Sequence, residues 1–452
     1  MNAIKTRLAA LSFLEFAVWG SYLVSLGLYL GSVGLGGYIF WFYTVQGLVS
    51  LFMPGLVGVI ADKFIPAQKM LSLCHVLAAT FMFAAGWYAM DAGASVEFGP
   101  LFTFYTLSVA FFMPTIGLNN SVAFNALTKA NLDTVKAFPP IRVWGTVGFI
   151  VAEWFVNFVP VGGAPIMNTY WQLFTCGAIS IIMAVYSLTM PDCPVNKAAA
   201  TSLTDSLGLS AFKLFKDKRM AIFFIFSMLL GVSLQITNSY GTSFIEHFSK
   251  VAEYANDFFA KNPTFLISLS QCSEALCILL IPFFLKRFGI KGVMLIAMFA
   301  WVMRFGFFGL GNTSLSGVWL LMLSCIVYGV AFDFFNVSGG LYVDKQTTPE
   351  LRSSAQGLFM IMTNGIGASL GTWIAGTFVV NEFVFTEGLD AVQQLEGWRI
   401  SWYIFAAYAL VVGVLFFFIF KENNGHPSKL EISEAEATAA GADAAAIVED
   451  KN

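Results

Sequence analysis

Apolar runs of about twenty residues recur along the chain, separated by short polar stretches. A helix needs about 20 mostly apolar residues to cross a hydrocarbon layer about 30 Å thick, because each residue rises about 1.5 Å. Runs of that size fall near residues 8–31, 37–60, 70–91, 100–126, 140–160 and 168–190. Six more fall near 220–245, 264–285, 292–311, 317–341, 354–380 and 398–420. The pattern predicts an all-α membrane protein of twelve transmembrane helices, grouped as 1–190 and 220–420 around a polar central loop, 191–219. The first run is too long for a secretory signal and is followed by eleven others. Residues 421–452 contain seven acids, three lysines and many alanines. They hold too little apolar surface to fold alone and are expected to form a disordered tail.

Composition agrees. Of 452 residues, 58% are hydrophobic and 11% charged, against about 25% charged in soluble proteins. A mean hydropathy of +0.74 and 48 phenylalanines require a surface that faces lipid. The net charge of −3, with no dense basic run, excludes nucleic-acid binding, which needs many cations against phosphates. The six cysteines form no CxxC pair, and His75, His247 and His426 have no metal-ligand spacing. They read as packing or hydrogen-bonding residues.

Lysine and arginine placement gives an orientation. With the N-terminus in the cytoplasm, Lys5, Arg7, Lys63, Lys69, Lys129, Lys136, the central stretch, Lys286, Arg287, Lys291, Lys345, Arg352 and Lys421 lie inside. Lys250, Lys261 and Arg399 lie outside. Cations concentrate on the cytoplasmic side of membrane proteins, so both termini are expected there. Two groups of six spans around a basic loop match the major facilitator architecture, with a substrate cavity between bundles at mid-membrane. The stretch Gly58-Val-Ile-Ala-Asp62-Lys63 resembles part of that superfamily's inner gating loop. The stretch after the eighth span, Lys286 to Lys291, has the basic residues without the acid.

Ions at mid-bilayer cost at least about 2.5–3.5 kcal/mol each, so each needs a reason. Glu15, Arg142, Glu153, Glu274, Arg304 and Asp333 are the candidates. Arg142, Thr146, Phe149 and Glu153 follow i, i+4, i+7, i+11 and share one helical face, as a cavity wall would. A snorkelling Arg142 is the alternative. Gln235 with Asn238, and Gln271 with Glu274, are i, i+3 pairs whose amides suit a neutral, multiply hydrogen-bonding ligand. Interhelical hydrogen bonding is their plainer role. In the tenth span Asp333 stands among Tyr328, Phe332, Phe334 and Phe335, where desolvation disfavours the anion. Such a group binds and releases a proton as its surroundings open. Arg304 reads either as an internal counter-ion to one of these acids or as a structural residue that snorkels to the interface. No GxSxG, P-loop or dinucleotide fingerprint is present, which argues against an enzyme and against ATP drive.

Several stretches are similar to the bacterial nucleoside:proton symporter family. They are Phe13 to Gly20, Phe138-Pro-Pro-Ile-Arg-Val-Trp-Gly-Thr-Val-Gly-Phe149, Arg219 to Gly231, Ala331-Phe-Asp-Phe-Phe-Asn336 and Ala355 to Gly365. The resemblance covers roughly residues 1–421. It implies proton-coupled uptake of purine and pyrimidine nucleosides such as uridine or adenosine, no cofactor beyond the proton gradient, and a monomer in the inner membrane. Carried over, Arg142, Thr146, Phe149, Gln235, Asn238, Gln271, Glu274, Tyr328, Phe332 and Asp333 match positions lining the nucleoside site. Asp333, or else Glu274, carries the proton. Glu15 stands where the family's pattern has glutamine. A sugar symporter of the same fold is the first alternative, and a membrane receptor or intramembrane enzyme a distant one.

Overall fold

The computed structural model describes residues 3–193, 195, 209–347 and 352–421. The predicted tail beyond residue 421 and much of the central loop lie outside these. Nearly every run becomes helix. The first half comprises α1 (Ala3–Gly20), α2 (Leu26–Ser32), α3 (Ile39–Lys63), α4 (Ala67–Ala92), α5 (Phe98–Lys129), α6 (Thr134–Phe158) and α7 (Trp171–Ser187). The second comprises α8 (Lys218–Leu234), α9 (Ile236–His247), α10 (Pro263–Ile267), α11 (Leu269–Leu310), α12 (Val318–Lys345), α13 (Arg352–Met360), α14 (Ala368–Ala375) and α15 (Ala391–Ile419). Among the described residues, eight helical stretches are long and apolar enough to cross a membrane, and the longest, Pro263–Leu310, holds two crossings. The crossings at α1–α2, α6 and α7 complete twelve.

Several spans are broken where the sequence suggested continuous rods. The first turns through residues 21–25 between α1 and α2. The seventh breaks at Gln235. By contrast Gly289, at φ 67°, separates the eighth and ninth spans within the polar stretch Lys286 to Lys291, where a boundary was expected, because a backbone there needs a residue without Cβ. The eleventh passes through a π-helical segment, Ile361–Gly367, before α14. Helix starts follow local chemistry. Asp217 accepts from the amides of Arg219 and Met220, and Asp390 forms a capping box with Gln393.

The predicted gating loop is helical. Gly58 and Lys63 lie on the last turns of α3, which stops only at Phe64 ahead of Pro66. The side chain of Asp62 lies outside the described residues. Outside the bundle, Leu276, Leu279 and Phe283 on α11 are each more than 60% exposed, the lipid-facing side of an apolar helix. A two-stranded hairpin, Pro160–Val161 with Ala164–Pro165, joins α6 to α7 on the face opposite the chain termini.

The halves touch each other mainly toward that opposite face. Asn157 donates to Asn262 Oδ1 (2.7 Å), and Thr264 donates to Asn157 Oδ1 (2.6 Å). Trp154 donates to Ser268 Oγ (2.8 Å), and Asn381 donates to the Gly37 carbonyl (3.0 Å). Thr242 donates to the Val24 carbonyl. These neutral bonds close a seam there, while the space between the halves widens toward the terminal face.

Candidate functional site

The site begins with two backbones in contact. A Cβ on Gly148 would lie 2.1 Å from the Phe13 carbonyl oxygen, and one on Gly20 would lie 2.3 Å from that of Phe149. Glycine at both positions lets α1 and α6 touch along their length. This brings the Arg142 guanidinium to 3.8 Å from the centre of the Phe16 ring, a cation–π contact. Trp19, one turn on, meets Phe149 edge-on at 6.3 Å.

The other half supplies the facing wall. The break at Gln235 leaves its side chain beside Asn238, whose amide donates to Gln235 Oε1 (3.0 Å). Gln271 and Glu274 follow on the first turns of α11. On α12, Tyr328 and Phe332 stack with ring centres 5.5 Å apart and planes 18° apart.

Between the walls lies a cavity of about 590 Å³, lined by Arg142, Thr146, Phe149, Gln235, Asn238, Gln271, Glu274, Tyr328 and Phe332. That volume is in the range of small-molecule sites. It runs from mid-membrane toward Pro54, Gly55 and Gly357, near the terminal-face ends of their helices. Asp333, the remaining residue of the expected set, is 4% exposed and lies behind this lining, with Oδ2 unpartnered. Arg142 acts electrostatically on Glu274, Glu15 and Asp333, which joins the charged groups of both halves.

Three other buried ions have distinct surroundings. Glu15 and His75 are both fully buried and pair at 2.9 Å. Thr115 donates to the second Glu15 oxygen (2.6 Å), and the other His75 nitrogen meets Ser180 Oγ at 2.9 Å. The expected hydrogen-bonding role of His75 is met by a group sixty residues away. Arg304 has neither an acid partner nor a route to the interface among the described residues. It is held by Ser270 and Thr237 (3.3 Å each), the Ser324 carbonyl (3.0 Å) and the Tyr328 ring at 4.3 Å. Glu153 shares the face of Arg142, Thr146 and Phe149 but lies beyond the cavity, fully buried and without a hydrogen-bond partner on either oxygen.

The cavity also takes in residues that sequence reasoning passed over, among them Phe16, Trp19, Tyr43, Gln46, Ser50 and Asn364. Gln46 is buried and donates to Tyr105 Oη (2.6 Å), leaving its carbonyl oxygen unpartnered. An amide inside an apolar run was the available signal, the same one that singled out Gln235 and Gln271.

Twelve crossings in two six-span halves around a central cavity define a membrane transporter of the major facilitator fold. A family described as Nucleoside H+ symporter matches residues 1–425. The chain is 45% identical to the xanthosine permease of Escherichia coli over 434 residues, 95% of this chain and 98% of that one. It is 43% identical to the nucleoside permease NupG of the same organism over 422 residues, 92% and 96% of the two chains. The crystal structure of nucleoside transporter NupG superposes with a TM-score of 0.82 at 42% identity, covering 94% of this chain and 100% of that one. The chain belongs to the nucleoside H+ symporter family. It is a multi-pass transporter that imports nucleosides with protons, and it is not an enzyme. The sugar-symporter alternative is set aside.

Proposed function

We propose that the nucleoside binds in the central cavity, held by groups from both halves, and crosses by alternating access together with one proton. The observation that carries this reading is the convergence of carboxamides, hydroxyls, aromatic rings, the Arg142 guanidinium and the Glu274 carboxyl from both halves on one cavity. Gln235, Asn238 and Gln271 offer the donors and acceptors that a base or ribose edge needs. Phe149 and the stacked Tyr328–Phe332 pair enclose its flat faces. With one cation, the site suits an uncharged nucleoside rather than a nucleotide, whose phosphates would need several. Both purine and pyrimidine nucleosides fit these contacts.

The charge balance gives the proton its place. Arg142 with ionised Glu274 and Asp333 sums to −1, and the three groups sense one another. One added proton makes the set neutral, the state in which a buried site moves between halves at least electrostatic cost. Asp333, packed behind the aromatic wall, is the carrier, with Glu274 its neighbour. Lysines and arginines on the terminal face support a reading in which both termini are cytoplasmic. The cavity then faces inward, the seam faces outward, and the monomer is the working unit. Rocking of the halves opens the seam and closes the cavity. Counterflow tests the substrate assignment: preloaded uridine should drive exchange of uridine and adenosine. Exchange of a sugar with no exchange of either nucleoside would overturn it.

A further inference from the structure

One buried acid belongs neither to the cavity and its Arg142–Glu274–Asp333 set nor to the Glu15–His75 pair. Glu153 lies on α6 one turn past Phe149, on the seam side of the cavity. Its side chain is fully buried, and neither carboxyl oxygen has a hydrogen-bond partner among the described residues. The next residue, Trp154, donates across the seam to Ser268, and Asn157, one turn on, bonds Asn262 and Thr264. Glu153 is therefore enclosed by the contacts that hold the two halves together on the closed face.

Among the described residues no cation pairs with Glu153: Arg304 on α11 is held instead by Ser270, Thr237, the Ser324 carbonyl and the Tyr328 ring. The titratable groups that sense it are Cys272 at the start of α11 and Cys325 and Tyr328 on α12. Neither α10 nor the turn at 166–168 carries a titratable residue. On α1, Glu15 is committed to His75 and Thr115, and on α5, Tyr105 is bonded to Gln46. An ionised carboxylate in such a place would cost several kcal/mol with nothing to offset it. A neutral carboxylic acid costs far less.

We propose that Glu153 is a gating acid of the transport cycle: the seam closes over it only when it has taken a proton from the outer side. On opening, the α6–α10 and α6–α11 contacts part and Glu153 meets outside water, to which it returns that proton. On closing, the carboxylate takes one proton back from outside water. Its proton is not carried inward, so it is separate from the one that moves with the nucleoside. An acidic exterior then favours the closed seam, and an alkaline exterior holds the seam open. The proposal rests on the alternating-access reading and on the outward placement of the seam.

The experiment uses the full chain in nanodiscs, with spin labels on unnatural amino acids at the exposed positions 94 and 387, one in each half on the seam side. Distance distributions are recorded without nucleoside from acidic to alkaline pH. The wild type should shift from short to long distances as pH rises. Glu153→Gln, neutral at every pH and of the same shape, should stay short into the alkaline range, any remaining transition having its midpoint raised by at least about one pH unit, a factor of about ten in proton activity. Glu153→Met serves the same purpose if the glutamine variant does not fold. Identical pH dependence in wild type and a folded neutral variant would overturn the proposal. So would a wild-type distance that does not change with pH. The distances need no substrate, so a failed substrate assignment would appear in counterflow and leave this readout standing.

Discussion

Arg142 rests 3.8 Å from the Phe16 ring centre, so the one cation in the cavity wall is positioned by an aromatic residue of a neighbouring helix. A desolvated contact of this kind contributes about 0.5–2 kcal/mol. Phe16→Leu should therefore raise the KM for uridine exchange roughly two- to thirtyfold, with maximal rate little changed. Arg142→Lys should do more harm, because an ammonium cannot lie flat on the ring while its donors reach the cavity. Initial rates of counterflow over a uridine series check both.

The Glu15–His75 pair is fully buried, and its remaining bonds go to Thr115 and Ser180. It ties α1 to α4, α5 and α7. Removing one member leaves the other without its partner in a dry interior, at a cost of about 3–5 kcal/mol. Glu15→Ala should lower the melting temperature in detergent by several degrees. Glu15→Gln should restore most of it, since an amide still accepts from Thr115 and donates to a neutral imidazole. An unchanged midpoint in the alanine variant would refute the structural role.

The contact of α1 with α6 depends on glycine. A methyl at Gly148 would meet the Phe13 carbonyl oxygen at 2.1 Å, backbone that cannot rotate away. Gly148→Ala should force the helices apart at about 1–3 kcal/mol and pull Phe16 from Arg142. Reduced yield of folded protein, or a raised KM in what folds, is the expected result. Gly58→Ala, where a Cβ would meet nothing within 4 Å, is the control and should behave as wild type.

Asp333→Asn keeps shape and hydrogen-bonding capacity but cannot take up a proton. Nucleoside exchange should survive and uphill accumulation should disappear. Undiminished accumulation in this variant would move the carrier role to Glu274, to be tested in turn by Glu274→Gln.

Much of the site was legible because a polar group in hydrocarbon is conspicuous. Gln235, Asn238, Gln271 and Glu274 stand out in apolar runs, and helical spacing put Arg142, Thr146 and Phe149 on one face. Spacing alone did not say where that face leaves the cavity. Glu153 continues the same stripe yet is sealed beyond it, because the halves converge there. Pairings between distant residues were not legible either. Nothing local links Glu15 with His75, or Asn157 with Asn262. The break at Gln235 and the π-helical segment Ile361–Gly367 escaped notice because an apolar run reads alike whether its helix is straight or bent. The boundary at Gly289, by contrast, lies in the polar stretch Lys286 to Lys291, where one was expected. Gly58 to Lys63 looked like a loop for its glycine and charges, but no breaker occurs before Pro66, and the helix runs on.

The central claim is that an uncharged nucleoside and a proton use the same cavity. Radiolabelled uridine uptake into proteoliposomes, with an imposed pH gradient acidic outside, tests it most directly. The account predicts a transient overshoot above equilibration that a protonophore abolishes. Equilibration at the same rate and to the same level with and without the gradient, or no uridine entry at all, would contradict it.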